Sequence, residues 1–341
     1  MTGYVSLHGA PGEYPRGYTE LARGTWAWLE PNGSWGEANA GLVVGDGETL
    51  VVDTLWDVRL AAEMLGEAES LVARAPITTA VNTHRDGDHW WGNVALPPDV
   101  RIWASDATRA EIDHEPPPRA LATLNRLSRL SRHAPGRVGR LASYTADMLG
   151  PFAHGRTTPR PPTDGFAREH TLDVGGREVR LLRLGPAHTD GDAVVHVPDA
   201  GVVFAGDLLF VGVTPVIWVG PMSHWVTAID RLLALGAEHY VPGHGPLATR
   251  DDLLAQRAYW EWLISASTLQ FETGRPPAEV MRRLVDDPGF GRFRDWLAPE
   301  RLALNVLARH RELTGAGPAQ HDPVSRSVMF SHVAELHRVL S

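Results

Sequence analysis

Five times along this chain an apolar, largely β-branched run ends in a histidine or an aspartate. LVVD ends in Asp53, ITTAVNT leads straight into His84, LLRLGPAH reaches His188, VVFAGD closes on Asp207, and HYVPGH closes on His244. Short apolar runs bounded by Gly or Pro are the pattern of strands buried on both faces. Loops that leave strands along one edge of a sheet converge on one crevice, so polar residues far apart in sequence can meet there. Helical periods lie between the strands, in VRLAAEMLGEAESLVARA and in a helix starting near Asp106. The order strand, helix, strand, functional loop predicts an α/β chain. Hairpins are expected across Gly45-Asp46-Gly47 and across Gly175-Gly176.

Composition narrows the chemistry. The 341 residues contain no cysteine, so thiolate metal sites, disulfides and cysteine nucleophiles are excluded, and any metal must be held by imidazole and carboxylate. No lysine occurs either: the 32 basic residues are all arginine, which excludes a Walker lysine and a Schiff base. A formal charge of -9 gives no electrostatic reason to expect nucleic acid or an anionic membrane as partner. The amino-terminal stretch MTGYVSLHGAPGEYPRG lacks a basic segment followed by an apolar run, and a cytoplasmic location is expected. Tyr4, Tyr14 and Tyr18 are assigned to an irregular amino-terminal arm.

The expected organisation is a main domain over residues 1–249 and a helical carboxyl extension over 250–341 packed on it. Within the first, residues 113–165 change character. Pro-rich ends enclose arginine-rich, leucine-spaced sequence such as ALATLNRLSRLSR, which reads as a helical insertion, either an ornament or a wall of the active-site cleft.

The densest station is His84-Arg85-Asp86-Gly87-Asp88-His89. Followed by the lone His188, the lone Asp207 and the final His244, it resembles the metallo-β-lactamase superfamily, whose run is usually His-x-His-x-Asp-His. The resemblance covers roughly residues 24–249 in motif order. It implies a four-layer αβ/βα sandwich and a dinuclear centre: His84, the residue at position 86 and His188 on the first metal, Asp88, His89 and His244 on the second, and Asp207 bridging. Asp53 matches the family's strand-end aspartate, expected to orient a ligand histidine by hydrogen bond. Two divalent ions are implied, zinc first.

Asp86 stands where the family usually has its second histidine. A carboxylate there is a harder ligand and opens the site to manganese or iron. Charge counting over Asp86, Asp88 and Asp207 also leads one to expect a weaker preference for anionic substrates than in relatives with histidine at 86.

The resemblance further implies a metal-dependent hydrolase, with a metal-bound hydroxide attacking the carbonyl of a small ester, thioester, lactone or amide and Asp88 steering the proton; ester or thioester cleavage leads. The alternatives are a metal-assisted cyclase or dehydratase, a diiron redox enzyme, and a non-catalytic binding protein. The expected partner is a small carbonyl compound, free or carrier-bound, and the carboxyl helices leave room for a homodimer. His224 is assigned to the surface or the core rim. Of Trp90 and Trp91, one is expected in the core and the other on the wall of the cleft.

Overall fold

The computed structural model describes residues 7–8, 14–31, 35–317 and 323–340; Tyr4 lies outside them. The first sheet holds seven strands in sequence order: β1 (Gly17–Ala22), β2 (Thr25–Leu29), β3 (Ala40–Val44), β4 (Thr49–Val52), β5 (Ile77–Val81), β6 (Arg101–Ser105) and β7 (Asp164–Phe166). The first four are antiparallel neighbours, and β4 to β7 run parallel. The second sheet pairs β8 (Glu169–Val174), β9 (Arg177–Arg183), β10 (Ala193–Val197), β11 (Val202–Phe210) and β12 (His239–His244) in the reverse order, with β11 and β12 parallel. Both expected hairpins form, with Val44 opposite Thr49 and Val174 opposite Arg177.

The sheets stack face to face through Val43, Leu50 and Val52 on one side and Leu181, Val195 and Phe204 on the other, all at most 2% exposed. They approach closely at Gly41, where a Cβ would sit 2.0 Å from the Phe204 ring, so only glycine fits.

Helices cover both outer faces. The helix α1 (Val58–Ala68) lays Met64 and Ala68 against Leu42, Val51 and Ile102 of the first sheet. Asp57 caps it, accepting from the backbone N–H of Arg59 and Leu60 at 2.9 Å each. The helical period read through Ala75 stops short, because Leu71 and Val72 turn back onto the Ala68 carbonyl. After α2 (Asp106–Glu111) come α3 (Pro118–Ser131) and α4 (Gly136–Leu149), which form a hairpin inside the insertion. The second sheet is covered by α5 (Met222–Ala234) and α6 (Arg250–Glu272), where Trp225 and Trp260 pack ring to ring at 4.3 Å. The four-layer sandwich is thus complete, and α7 (Pro277–Val285), α8 (Leu302–Thr314) and α9 (Pro323–Leu340) extend it.

The amino-terminal arm is less irregular than expected. Tyr18 sits in β1, edge-on to Trp28 at 5.1 Å, and the hydroxyl of Tyr14 donates to the Glu30 carbonyl at 3.1 Å. GYTELA is an edge strand with exposed polar residues, so it lacks the apolar run that marks its neighbours. Farther up the arm, His8, Tyr144 of α4 and His337 of α9 converge on the buried carboxylate of Glu300. No helix among the described residues is long and apolar enough to cross a membrane.

His154 is an unusual core residue. Its ring is buried against Trp56, Phe152 and Trp91, neither nitrogen has a hydrogen-bond partner among the described residues, and burial pushes its pKa down to about 4. An unfolded histidine takes up its proton near 6.5, so the neutral core position contributes stability above that pH and loses it as pH falls toward 4. Replacing His154 by phenylalanine is expected to recover on the order of 2 kcal/mol of the acid-induced loss between pH 7 and 4. Denaturant melts of both proteins across that range measure it; superimposable acid limbs would refute it.

Candidate metal centre

All five strand-end stations meet at one edge of the sandwich. Asp53 follows β4 with a positive φ of 59°, His84 follows β5, and Asp88 and His89 lie in the short 3-10 turn Gly87–His89. His188 lies in the loop between β9 and β10, Asp207 within β11, and His244 ends β12. Asp207 is central: its carboxylate oxygens lie 3.0 Å from His89 Nε2, 3.4 Å from the Nε2 atoms of His188 and His244, and 3.9 Å from that of His84. Two compact donor groups result, His84 with His188 and Asp207, and Asp88 with His89 and His244; within each, the donor atoms lie within 4.8 Å of one another.

Each imidazole is held from behind. His89 Nδ1 meets Asp53 Oδ2 at 2.8 Å, His188 Nδ1 donates to the Val216 carbonyl at 2.6 Å, and His244 Nδ1 donates to the Glu37 carbonyl at 3.0 Å. The Thr83 hydroxyl donates to Asp53 Oδ2 at 2.8 Å and accepts from His84 Nδ1 at 3.0 Å. Outer nitrogens held in this way aim the four Nε2 atoms inward, the orientation that metal-binding histidines require once a cation displaces any proton there. Among the described residues, buried His84 Nε2 has no hydrogen-bond partner, and His89 Nε2 and Asp207 Oδ1 form none either, although they lie 3.0 Å apart. Such orphaned atoms are costly unless a cation closes them, so the residues present fit divalent ions bound by nitrogen and oxygen.

The carboxylates set the charge on these rings, and in their field a proton stands where a cation would. Burial, reinforced by His89, pushes His84 down to about 3 and keeps it neutral. Burial would raise the Asp207 carboxyl, but His244, His89 and His84 outweigh it and hold it well below the usual range. Burial likewise opposes charge on His188, yet Asp86 and Asp207 lift it to about 9.

The structure brings every sequence-assigned ligand to this site, but Asp86 stands slightly apart. The compact group on its side is formed without it. Its Oδ2 accepts from Trp218 Nε1 at 2.7 Å and lies 3.0 Å from His188 Nε2. Gly243 supplies the close packing beneath Asp207: a Cβ there would fall 1.9 Å from Asp207 Oδ1.

Above the cluster opens a cavity of about 600 Å³. Its aromatic walls are Trp35, Trp56, Trp218, Phe210 and Phe330, while Leu121 and Leu124 of α3 and Leu141 and Met148 of α4 bring the insertion onto it. The division of Trp90 and Trp91 between core and cleft does not hold. Both are buried, at 4% and 1% exposure, because two consecutive 3-10 turns swing them inward, Trp90 onto the Arg85 carbonyl and Trp91 beneath Gly87. His224 is exposed on the first turn of α5, away from the cavity. Sequence reasoning missed Glu115, which lines the cavity, accepts from the Gly87 N–H at 3.1 Å and is lifted by burial to about 8. It also missed Trp218, which sits in an irregular loop whose only signal was an aromatic following the Asp207 strand.

The family model of the metallo-beta-lactamase superfamily matches residues 33–244. The chain is 23% identical over 297 residues to the 2,4-dinitroanisole O-demethylase subunit alpha of Nocardioides sp. (strain JS1661), covering 83% of this chain and 77% of that protein. It is 30% identical over 112 residues to the linear primary-alkylsulfatase of Pseudomonas sp. (strain ATCC 19151), covering 30% of this chain and 21% of that protein. Among solved structures, a stereoselective inverting sec-alkylsulfatase from Pseudomonas sp. shares the fold, with a TM-score of 0.66 and 17% identity over 91% of this chain. The chain spans about half the length of that sulfatase, 51%.

Asp53 touches no inward-facing donor atom, so its effect must run through Thr83 and His89. Asp53→Asn is expected to weaken metal affinity by about 10- to 100-fold while the fold persists, as read by competition with a chelator of known affinity; unchanged affinity would show that His89 needs no orienting partner.

Proposed function

The chain belongs to the metallo-β-lactamase superfamily, and from that premise we propose that it is a metal-dependent hydrolase that cleaves an ester bond in an apolar substrate. The observation that carries this reading is a pair of donor groups at the floor of a largely apolar cavity of about 600 Å³, with Asp207 a member of one and within 3.4 Å of both histidines of the other. In this reading His84, His188 and Asp86 serve one ion, Asp88, His89 and His244 the other, and Asp207 both. Zinc is the first candidate, and the carboxylate of Asp86 admits manganese or iron.

Ions held there supply a water acidified toward neutral pH and a charge that polarises the ester oxygen. The protein's own residues do the rest. Asp88 lines the cavity with its Oδ2 3.4 Å from His244 Nε2, placed to take and orient the proton of an attacking water. Trp218 holds Asp86 in one rotamer through its indole N–H. The walls of Trp35, Trp56 and Phe210 receive an apolar group and exclude bulk water, which strengthens the charges beneath.

The acyl part is read as carboxylic, with a thioester as its close variant. A sulfuric ester is the second reading, favoured by the 30% identity to the linear primary-alkylsulfatase over 112 residues. Chelator-treated protein is expected to lose at least about 100-fold of its hydrolysis of medium-chain carboxylic, thio- and sulfuric esters, and zinc or manganese should restore it. Elemental analysis accompanies the assay. Iron together with oxygen consumption would replace the hydrolase with a redox enzyme, and a metal-replete protein inert toward all three ester types would overturn the reading.

A further inference from the structure

Three charged groups on the cavity wall lie outside the ligand cluster, Glu115, Arg301 and Arg326. Arg326 lies near the start of α9, half-buried, and lines the cavity with Ser327 and Phe330. Among the described residues its guanidinium makes no hydrogen bond and no ion pair within 4 Å. The other arginine on the cavity, Arg301, is committed: it lies 4.3 Å over the Trp35 ring and donates to the Thr214 carbonyl at 3.0 Å.

The acids that feel the charge of Arg326, Glu115 and Asp86, direct their hydrogen bonds elsewhere and form no ion pair with it within 4 Å. Glu115 accepts from the Gly87 N–H at 3.1 Å, and Asp86 accepts from Trp218. Arg85 adds a second positive charge nearby. A partly desolvated guanidinium without a partner is costly, and its planar fork of N–H donors matches the paired oxygens of an oxyacid anion. The wall around it is hydrocarbon, running from Phe330 to Leu121, Leu124 and Leu127, and the last two are 45% and 55% exposed at the mouth.

We propose that Arg326 anchors an anionic oxyacid group, sulfate or carboxylate, on an otherwise apolar substrate whose hydrocarbon part lies along α3 and α4. This deepens the hydrolase reading and rests on it for the word substrate; the anion site itself stands independently. The weaker anion preference expected from Asp86, Asp88 and Asp207 counts only the ligand loop and strand, whereas Arg326 enters from the carboxyl extension.

Calorimetric titration of the full chain, metal-free and metal-loaded, with octyl sulfate, octanoate and octanol tests it. Wild type should prefer the two anions over octanol. Arg326→Gln should cut that preference about tenfold, and Arg326→Lys, which keeps the charge but not the fork, should recover part of it. An unchanged preference in Arg326→Gln overturns the proposal; so does equal loss of all three ligands, which would make Arg326 structural. Turnover then locates the anion: a KM rise confined to octyl sulfate places it at the scissile ester, and one confined to p-nitrophenyl hemisuberate, compared with p-nitrophenyl octanoate, places it at the far end. Arg326-dependent anion binding without turnover of any ester would sink the hydrolase reading and keep the anchor. Turnover indifferent to Arg326 would do the reverse.

Discussion

Everything at the candidate centre depends on holding four buried imidazoles by their outer nitrogens. A ring in a low-dielectric interior can present a lone pair inward only if its other nitrogen has an acceptor behind it. Asp53, Thr83, Val216 and Glu37 are those acceptors, and they come from four separate segments of the chain. Three leave the first sheet, in the β2–β3 connection and after β4 and β5, and one lies in the segment after β11. The sandwich is thereby tied across its edge by the same bonds that aim the ligands.

The carboxylates follow from this. With the imidazoles fixed, Asp207 sits within 3.9 Å of all four Nε2 atoms because β11 is pulled close by Gly243 of β12. Asp86 has a different master, the Trp218 indole, and so sits at the rim of the group rather than within it.

What the sequence disclosed was whatever obeys a period or closes a strand. The buried strands, both Gly-rich hairpins, the four carboxyl helices and the inward donors at 84, 88, 89, 188, 207 and 244 all carry such a mark. What stayed hidden depends on side-chain direction or on irregular backbone. Trp90 and Trp91 could be located but not aimed, because a 3-10 turn rotates neighbours by about 120°, unlike a strand or an α-helix. Tyr18 was missed because an edge strand need not be apolar. Trp218, Glu115 and Arg326 lie in a loop, in a Pro-rich corner and on a polar helix start, where composition says nothing about which cavity a side chain will enter.

The loop behind His188 also changes how the carboxyl helices are to be seen. Asn305 of α8 accepts from the Ile217 N–H and donates to the Pro215 carbonyl and the Tyr259 hydroxyl. That amide fastens the stretch whose Val216 carbonyl orients His188 and whose Trp218 restrains Asp86. The boundary expected at residue 249 is therefore crossed by hydrogen bonds, from Asn305 to this loop and from Gln256 to β11. A chain cut there would keep all seven ligand-type residues and both sheets, yet lose the amide that fastens the loop aiming one of its histidines.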